Sequence, residues 1–102
     1  MQSIKIINLS ANGNEIGGEI IVENRVAVIG IVVKNPKETS VKLNKILSDY
    51  GDIIVGRMGI PYREKGVSVI SIIVDGSNDE IGALTGKLGN IDGIRAKVAL
   101  TY

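Results

Sequence analysis

One pattern occurs twice in this chain, 42 positions apart, and it restricts the folds that the chain can adopt. Asn35 and Ser77 are both residues that cap helices, and Glu38 and Glu80 follow them at the third position, as in a capping box. A β-branched run precedes each cap, the first at 28–32 and the second at the same 42-residue offset. This repeat predicts two strand–helix–strand halves within one small domain.

Apolar spacing then predicts the individual elements. Residues at helical spacing follow each cap: Leu43, Ile46, Leu47 and Tyr50 in the first helix, and Ile81, Leu84, Leu88 and Ile91 in the second. Gly51 is predicted to cap the end of the first helix. The predicted strands cover 25–34, 52–60, 67–74 and 94–102, with a short polar connection over 61–66. The order β-α-β-β-α-β predicts the α+β class, a ferredoxin-like two-layer sandwich with an antiparallel sheet and both helices on one face.

Residues 1–24 lie outside this unit, so we divide the chain into an N-terminal extension, 1–24, and a domain, 25–102. Residues 4–9 and 19–22 are suited to two short strands around a turn at 11–14, which would make an extra hairpin. The same segment also suits a poorly anchored leader. The sequence does not choose between the two.

Missing residue types exclude several function classes. With no cysteine and no histidine, the chain lacks the common metal ligands, thiolate nucleophiles and the usual general base. We therefore predict no enzyme activity, no metal and no cofactor. A net charge of +1 and a sheet without stacking aromatics argue against direct nucleic-acid binding. The longest apolar run, 26–33, is too short to span a bilayer, so we expect no membrane partner and a cytoplasmic location.

The first strand of the domain is apolar on both faces. Ala27, Ile29, Ile31 and Val33 alternate with Val26, Val28, Gly30 and Val32. A strand of this kind usually has both faces covered, and two helices cover only one. We therefore predict a homo-oligomer, a dimer or a tetramer, with another copy or the N-terminal segment as the second cover.

Charged and small residues within the elements leave further alternatives open. Arg57, Arg95 and Lys97 lie in predicted strands, where they line the solvated or interfacial sheet face or form an anion-binding patch at an oligomer interface.

Gly82 and Gly86 have GxxxG spacing in the second helix, which predicts close packing of that helix against its neighbours.

Four blocks of this sequence together resemble a known family. They are Val28–Val33, 56–64 (GRMGIPYRE), 78–89 (NDEIGALTGKLG) and 91–97 (IDGIRAK). They are similar to the small ACT-like proteins called iron-only hydrogenase system regulators, and the resemblance covers about residues 25–101. It implies an ACT-like version of the ferredoxin-like fold and a regulatory role.

The resemblance also implies where a ligand would bind. ACT-like domains typically hold amino acids or other small ligands at subunit interfaces, near the first strand–helix loop. The corresponding positions here are Asn35, Lys37 and Glu38, with Arg57 and Arg63 as charged partners for a small anionic or amino-acid ligand. Two functions stay open: a ligand-sensing regulatory module, and a structural or assembly protein that associates without a ligand.

Overall fold

The computed structural model describes residues 3–9 and 15–101 of the chain, with side chains from Asn24 to Thr101. The strands and helices of this part are β1 (Ser3–Leu9), β2 (Glu15–Glu23), β3 (Arg25–Lys34), α1 (Pro36–Asp49), β4 (Ile54–Tyr62), β5 (Val67–Gly76), α2 (Asn78–Gly89) and β6 (Ile94–Leu100). A single 3-10 turn, Arg63–Lys65, joins β4 to β5.

Four of the strands form one antiparallel sheet in the order β4-β5-β3-β6. The two central strands, β3 and β5, are the ones that lead into α1 and α2. This order, with two helices inserted at these points, is the ferredoxin-like arrangement. The prediction of an α+β fold of this type is confirmed.

The strands β1 and β2 pair with each other as a separate two-stranded antiparallel sheet. Asn24 alone separates β2 from β3, so the chain passes directly from one sheet into the other. The turn predicted at 11–14 and the predicted strand end at residue 102 lie outside the described residues.

The core lies against one face of the four-stranded sheet. The odd-numbered positions of β3, from Ala27 to Val33, are at most 1% exposed. They form one cluster with buried residues of β5, of both helices and of the start of β6. In the helices these are Leu43, Leu47, Ile81, Leu84 and Leu88, which belong to the two predicted apolar stripes, while Ile46, Tyr50 and Ile91 are partly buried beside them.

The second helix begins as its sequence predicts. The Ser77 hydroxyl accepts a hydrogen bond from the Glu80 backbone N–H at 3.1 Å, and the Ser77 N–H donates to the Glu80 carboxylate at 2.9 Å. Both halves of the capping box are therefore present, and they satisfy two backbone donors that the helix itself cannot.

The first helix also begins at the predicted residue, but without a side-chain capping bond. Asn35 has φ 52° and makes no side-chain capping bond, so the predicted capping box at this position is wrong. Because β3 runs to Lys34 and α1 begins at Pro36, one residue makes the whole turn, and asparagine tolerates this left-handed conformation. The Asn35 carbonyl instead accepts from the N–H groups of Glu38 and Thr39.

The 42-residue repeat holds for β3 and β5 and for both helix starts, and then it ends. α2 is two residues shorter than α1, 12 against 14, so β6 starts 40 positions after β4. Gly51 and Gly93 are consequently not equivalent. Gly93 has φ 86°, whereas Gly51 is not left-handed. Gly51 follows the cap residue Tyr50, where a left-handed glycine often ends a helix, but it does not adopt that conformation and the predicted glycine cap is not formed.

The close packing predicted from Gly82 and Gly86 is not observed. Both residues are exposed, and a Cβ built on either meets no atom within 4 Å beyond its own helix. The GxxxG spacing in α2 therefore marks no helix contact within the described chain.

We predict that Gly82→Ala and Gly86→Ala each raise the free energy of unfolding by about 0.5–1 kcal/mol, because alanine favours the helix and has open space here. Gly93→Ala is the matched contrast. Its Cβ would lie 3.1 Å from the Lys34 carbonyl oxygen at a positive φ, so it should lower stability. Urea unfolding of the three variants tests this, and destabilisation by Gly86→Ala would contradict it.

We also predict that Ser77→Ala lowers the free energy of unfolding by about 1 kcal/mol, through loss of the cap on α2. Asn35→Gly serves as the control at the other helix start. It removes no capping bond and suits a left-handed φ, so it should change stability by less than about 0.5 kcal/mol. Equal losses in the two variants would show that both helices depend on side-chain caps.

Candidate functional site

The β3–α1 junction contains three of the residues predicted to bind a ligand. Asn35, Lys37 and Glu38 are all exposed there, in the turn and the first helical turn. Their side chains are therefore accessible to a ligand or to a second chain. The structure brings these three together because the helix begins within one residue of the strand.

A buried threonine, which the sequence reasoning missed, fixes this junction. The Thr39 hydroxyl donates to the backbone carbonyls of Asn35, at 3.1 Å, and Lys34, at 3.3 Å. The Lys34 N–H in turn donates to the Gly93 carbonyl at 2.7 Å, which ties the end of β3 to the loop before β6. The one available signal was a threonine four residues after a predicted cap, where its hydroxyl can reach back to the turn.

The two arginines predicted to assist have different positions. Arg63 directly follows Tyr62, whose register partner Val67 also pairs with Lys34, so Arg63 lies at the same end of the sheet as the junction. Arg57 pairs with Ile72, five residues further along β5 than Val67, which is roughly 17 Å at the usual rise per residue. The structure thus groups Arg63, but not Arg57, with the β3–α1 junction.

The sheet face opposite the core is apolar and uncovered by the described residues; we call it the open face. It carries the even-numbered residues of β3 from 26 to 34, the odd-numbered residues of β5 from 67 to 75, Met58, Ile60 and Tyr62 of β4, and Arg95, Lys97 and Ala99 of β6. None of these residues is buried. Met58 is 71% exposed and Ile60 58%, which is unusual for large apolar side chains in a sheet.

Two of the three predicted strand cations lie on the open face. Arg95 pairs with Val32 and Lys97 with Gly30, so both share the face of those residues, as expected. The expectation is wrong for Arg57, which shares the parity of the buried Ile72. A register shift between Ile54 and Gly56 sets this parity, and a bulge of this kind is not visible in the sequence.

The β6 edge of the open face contains a cavity of about 540 Å³. It is lined from the open face by Gly30, Val32, Arg95 and Lys97, and around the β6 edge by the core-face residues Ile94 and Ala96 and by Gly89 at the end of α2. A smaller cavity of about 150 Å³ shares Val32, Ile94 and Arg95 with it and adds Lys34 and Gly93. The two cavities together extend from the open face to Gly93, in the loop before β6 that is hydrogen-bonded to Lys34 at the β3–α1 junction.

Two searches of the described residues were negative. No group of three acidic side chains lies close enough there to hold a metal ion. No helix in the same part of the chain is long and apolar enough to cross a membrane.

Residues 25–98 match the model of the TM1266-like family, described as "Iron-only hydrogenase system regulator, putative". This chain belongs to that family. The TM1266-like chain is also similar to a solved structure, that of the uncharacterized protein TM1266 from Thermotoga maritima, with a TM-score of 0.75 and 35% identity. The match covers 78% of this chain and all of the other. No curated protein matches the chain.

Proposed function

We propose that this TM1266-like protein is an ACT-like regulatory domain of the iron-only hydrogenase system that self-associates through its open face and senses a small ligand at the edge of that interface. In this proposal it acts in the cytoplasm as a regulator and not as an enzyme. The observation that carries it is the open face, an apolar sheet surface that the described chain leaves uncovered.

The size of the open face supports self-association. Four strands about 4.8 Å apart, each with about nine residues rising 3.3 Å, give a flat projection on the order of 500–600 Å². A standard protein interface buries roughly 800 Å² of accessible surface on each partner, which is the same order once side-chain relief is included. Exposed apolar patches of several hundred Å² often mark interaction sites, and this face exposes Met58, Ile60 and Ile73.

A second copy of the chain is the occupant that we propose for this face. Both helices contribute to the one core cluster, on the other side of β3, and we propose that both cover that face, as in ACT-like domains. The same apolar face on a second copy is complementary by two-fold symmetry, so each face can cover the other. The main alternative is the N-terminal segment, 1–24, of the same chain.

We predict that Ile60→Asp converts the oligomer to a monomer, because it would bury an unpaired carboxylate at the proposed interface. Val41→Asp is the matched control: it adds the same charge at the surface of α1, where Val41 is 77% exposed. Light scattering coupled to size exclusion measures both, and circular dichroism verifies that both variants fold. A wild-type monomer, or equal dissociation in the two variants, would contradict the proposal.

Deletion of residues 1–24 separates the two possible occupants. If a second copy covers the open face, the deleted chain keeps the wild-type oligomeric state. If the N-terminal segment covers it, the wild-type protein is a monomer, and the deletion newly exposes the face and causes association.

For ligand sensing, the proposed contacts are Asn35, Lys37 and Glu38 at the junction, with Arg63 beside them and Arg57 further along β4. A ligand that contacts two copies at once would shift the assembly equilibrium, and the protein would respond to the ligand in this way. The second candidate function, assembly without any ligand, rests on the same open face and needs none of these polar residues.

A melting-temperature screen with amino acids and small anions distinguishes the two functions. Under the sensing proposal, at least one compound raises the melting temperature, because at a hundredfold excess over Kd its binding adds about 2.7 kcal/mol to the free energy of unfolding. Lys37→Ala should abolish that rise, and Lys42→Ala, also exposed on α1, should preserve it. Without a rise at millimolar concentration, only the assembly function stands.

A further inference from the structure

We propose that the two adjoining cavities at the β6 edge of the sheet form a binding site for a small organic oxyanion, a carboxylate or a phosphate. Arg95 and Lys97 line the larger cavity, and Arg95 and Lys34 line the smaller one. This site differs from the junction residues that the family resemblance implies. It deepens the proposed function, and it rests on that function only for its link to assembly.

The register of β6 against β3 places the positive charges of Arg95, Lys97 and Lys34 near one another. Arg95 and Lys97 are two residues apart on one strand, roughly 7 Å, and both lie on the open face. Lys34 ends the neighbouring strand, two residues beyond Val32, which pairs with Arg95. All three residues are exposed.

The three cations lack counter-charges within the described chain. None of them has a carboxylate oxygen within 4.0 Å in the described chain, whereas Lys45 and Asp49 form an ion pair on α1. Asp92, three residues before Arg95, is exposed in the loop and makes no ion pair with it. Three like charges at one edge of a sheet repel one another, and an anion between them removes that cost.

Gly30 provides space for the ligand. The other open-face positions of β3 up to Val32 are valines, and Gly30 interrupts this row beside Lys97. It is exposed, and an added Cβ would meet nothing within 4 Å. A ligand can therefore reach the level of the backbone between Arg95 and Lys97.

The walls of the cavity indicate the type of ligand. Arg95 offers the planar guanidinium fork that suits carboxylate and phosphate oxygens, and the two lysines add compact charges. Val32 and Ala96 give the cavity apolar sides. A volume of about 540 Å³ lies within the range of small-molecule sites, roughly 300–1,000 Å³. A small metabolite with an oxyanion group and a short apolar body fits these features.

The position of the site gives it a regulatory consequence. A second copy on the open face would lie over or beside Arg95 and Lys97, and unpaired charges are costly to desolvate. An anion that neutralises them would favour the assembled state. Binding and assembly would then be linked, each strengthening the other.

The test is an NMR titration of the full chain with three probes, inorganic phosphate, pyrophosphate and succinate, at low ionic strength. We expect saturable amide shifts at Gly30, Arg95 and Lys97 with at least one probe. Arg95→Gln should raise Kd at least about tenfold, as for loss of a charge-assisted bond. Lys42→Gln is the matched control and should leave Kd within about twofold, because Lys42, exposed on α1, lines neither cavity.

Three results would overturn the site: no saturation by about 10 mM of any probe, equal weakening by Arg95→Gln and Lys42→Gln, or shifts confined to 35–38. A repeat with the Ile60→Asp variant separates this site from the proposed assembly. Binding that persists in a monomeric variant supports the site by itself. An oligomer whose dissociation constant does not change with the bound anion overturns the regulatory link.

Discussion

The burial of one face of β3 is the constraint on which the rest of this structure depends. Its odd-numbered residues from Ala27 to Val33 are at most 1% exposed, and they form one core cluster with buried residues of β5, β6 and both helices. Because side chains alternate along a strand, this same burial places the even-numbered residues on the opposite face. From Val26 to Val32 those residues are uncharged, three of them valines, so the chain that completes its core also exposes apolar surface on the opposite face.

The proposed function follows from what lies on that second face. The apolar part is concentrated on β4 and β5, where Met58, Ile60 and Ile73 are exposed, and the cations lie on the opposite edge, β6. Apolar area can drive association, and charge at its margin can make association depend on an anion. Membership of the TM1266-like family agrees with a regulatory role.

The sequence predicted the fold well because its signals are local. The β-branched runs, the stripes of leucine and isoleucine, and the capping box at Ser77 each depend on residues close together in the chain. The predictions that failed also relied on local signals. Asn35 and Gly51 looked like caps, but the length of β3 and the turn after α1 decided their conformations. Gly82 and Gly86 have the spacing of a packing motif, but whether another element packs against them depends on the tertiary structure.

The candidate site was less predictable because it depends on register between distant strands. Arg95 and Lys97 could be assigned to one face from alternation alone, but their proximity to Gly30 depends on the β3–β6 pairing. Arg57 could not be assigned, since the bulge before Gly56 reverses the parity of β4. At the junction, the Thr39 hydroxyl donates to the Lys34 and Asn35 carbonyls, and the Lys34 N–H donates to the Gly93 carbonyl. No sequence pattern predicts the contact between residues 34 and 93.

The central claim is that a second copy covers the open face, and intermolecular nuclear Overhauser effects measure this directly. In a mixture of labelled and unlabelled chains, isotope-filtered spectra detect only contacts between copies. The account predicts such contacts from the methyl groups of Ile60, Val69 and Ile73. Intermolecular contacts confined to α1 and α2, or none at all, would contradict it.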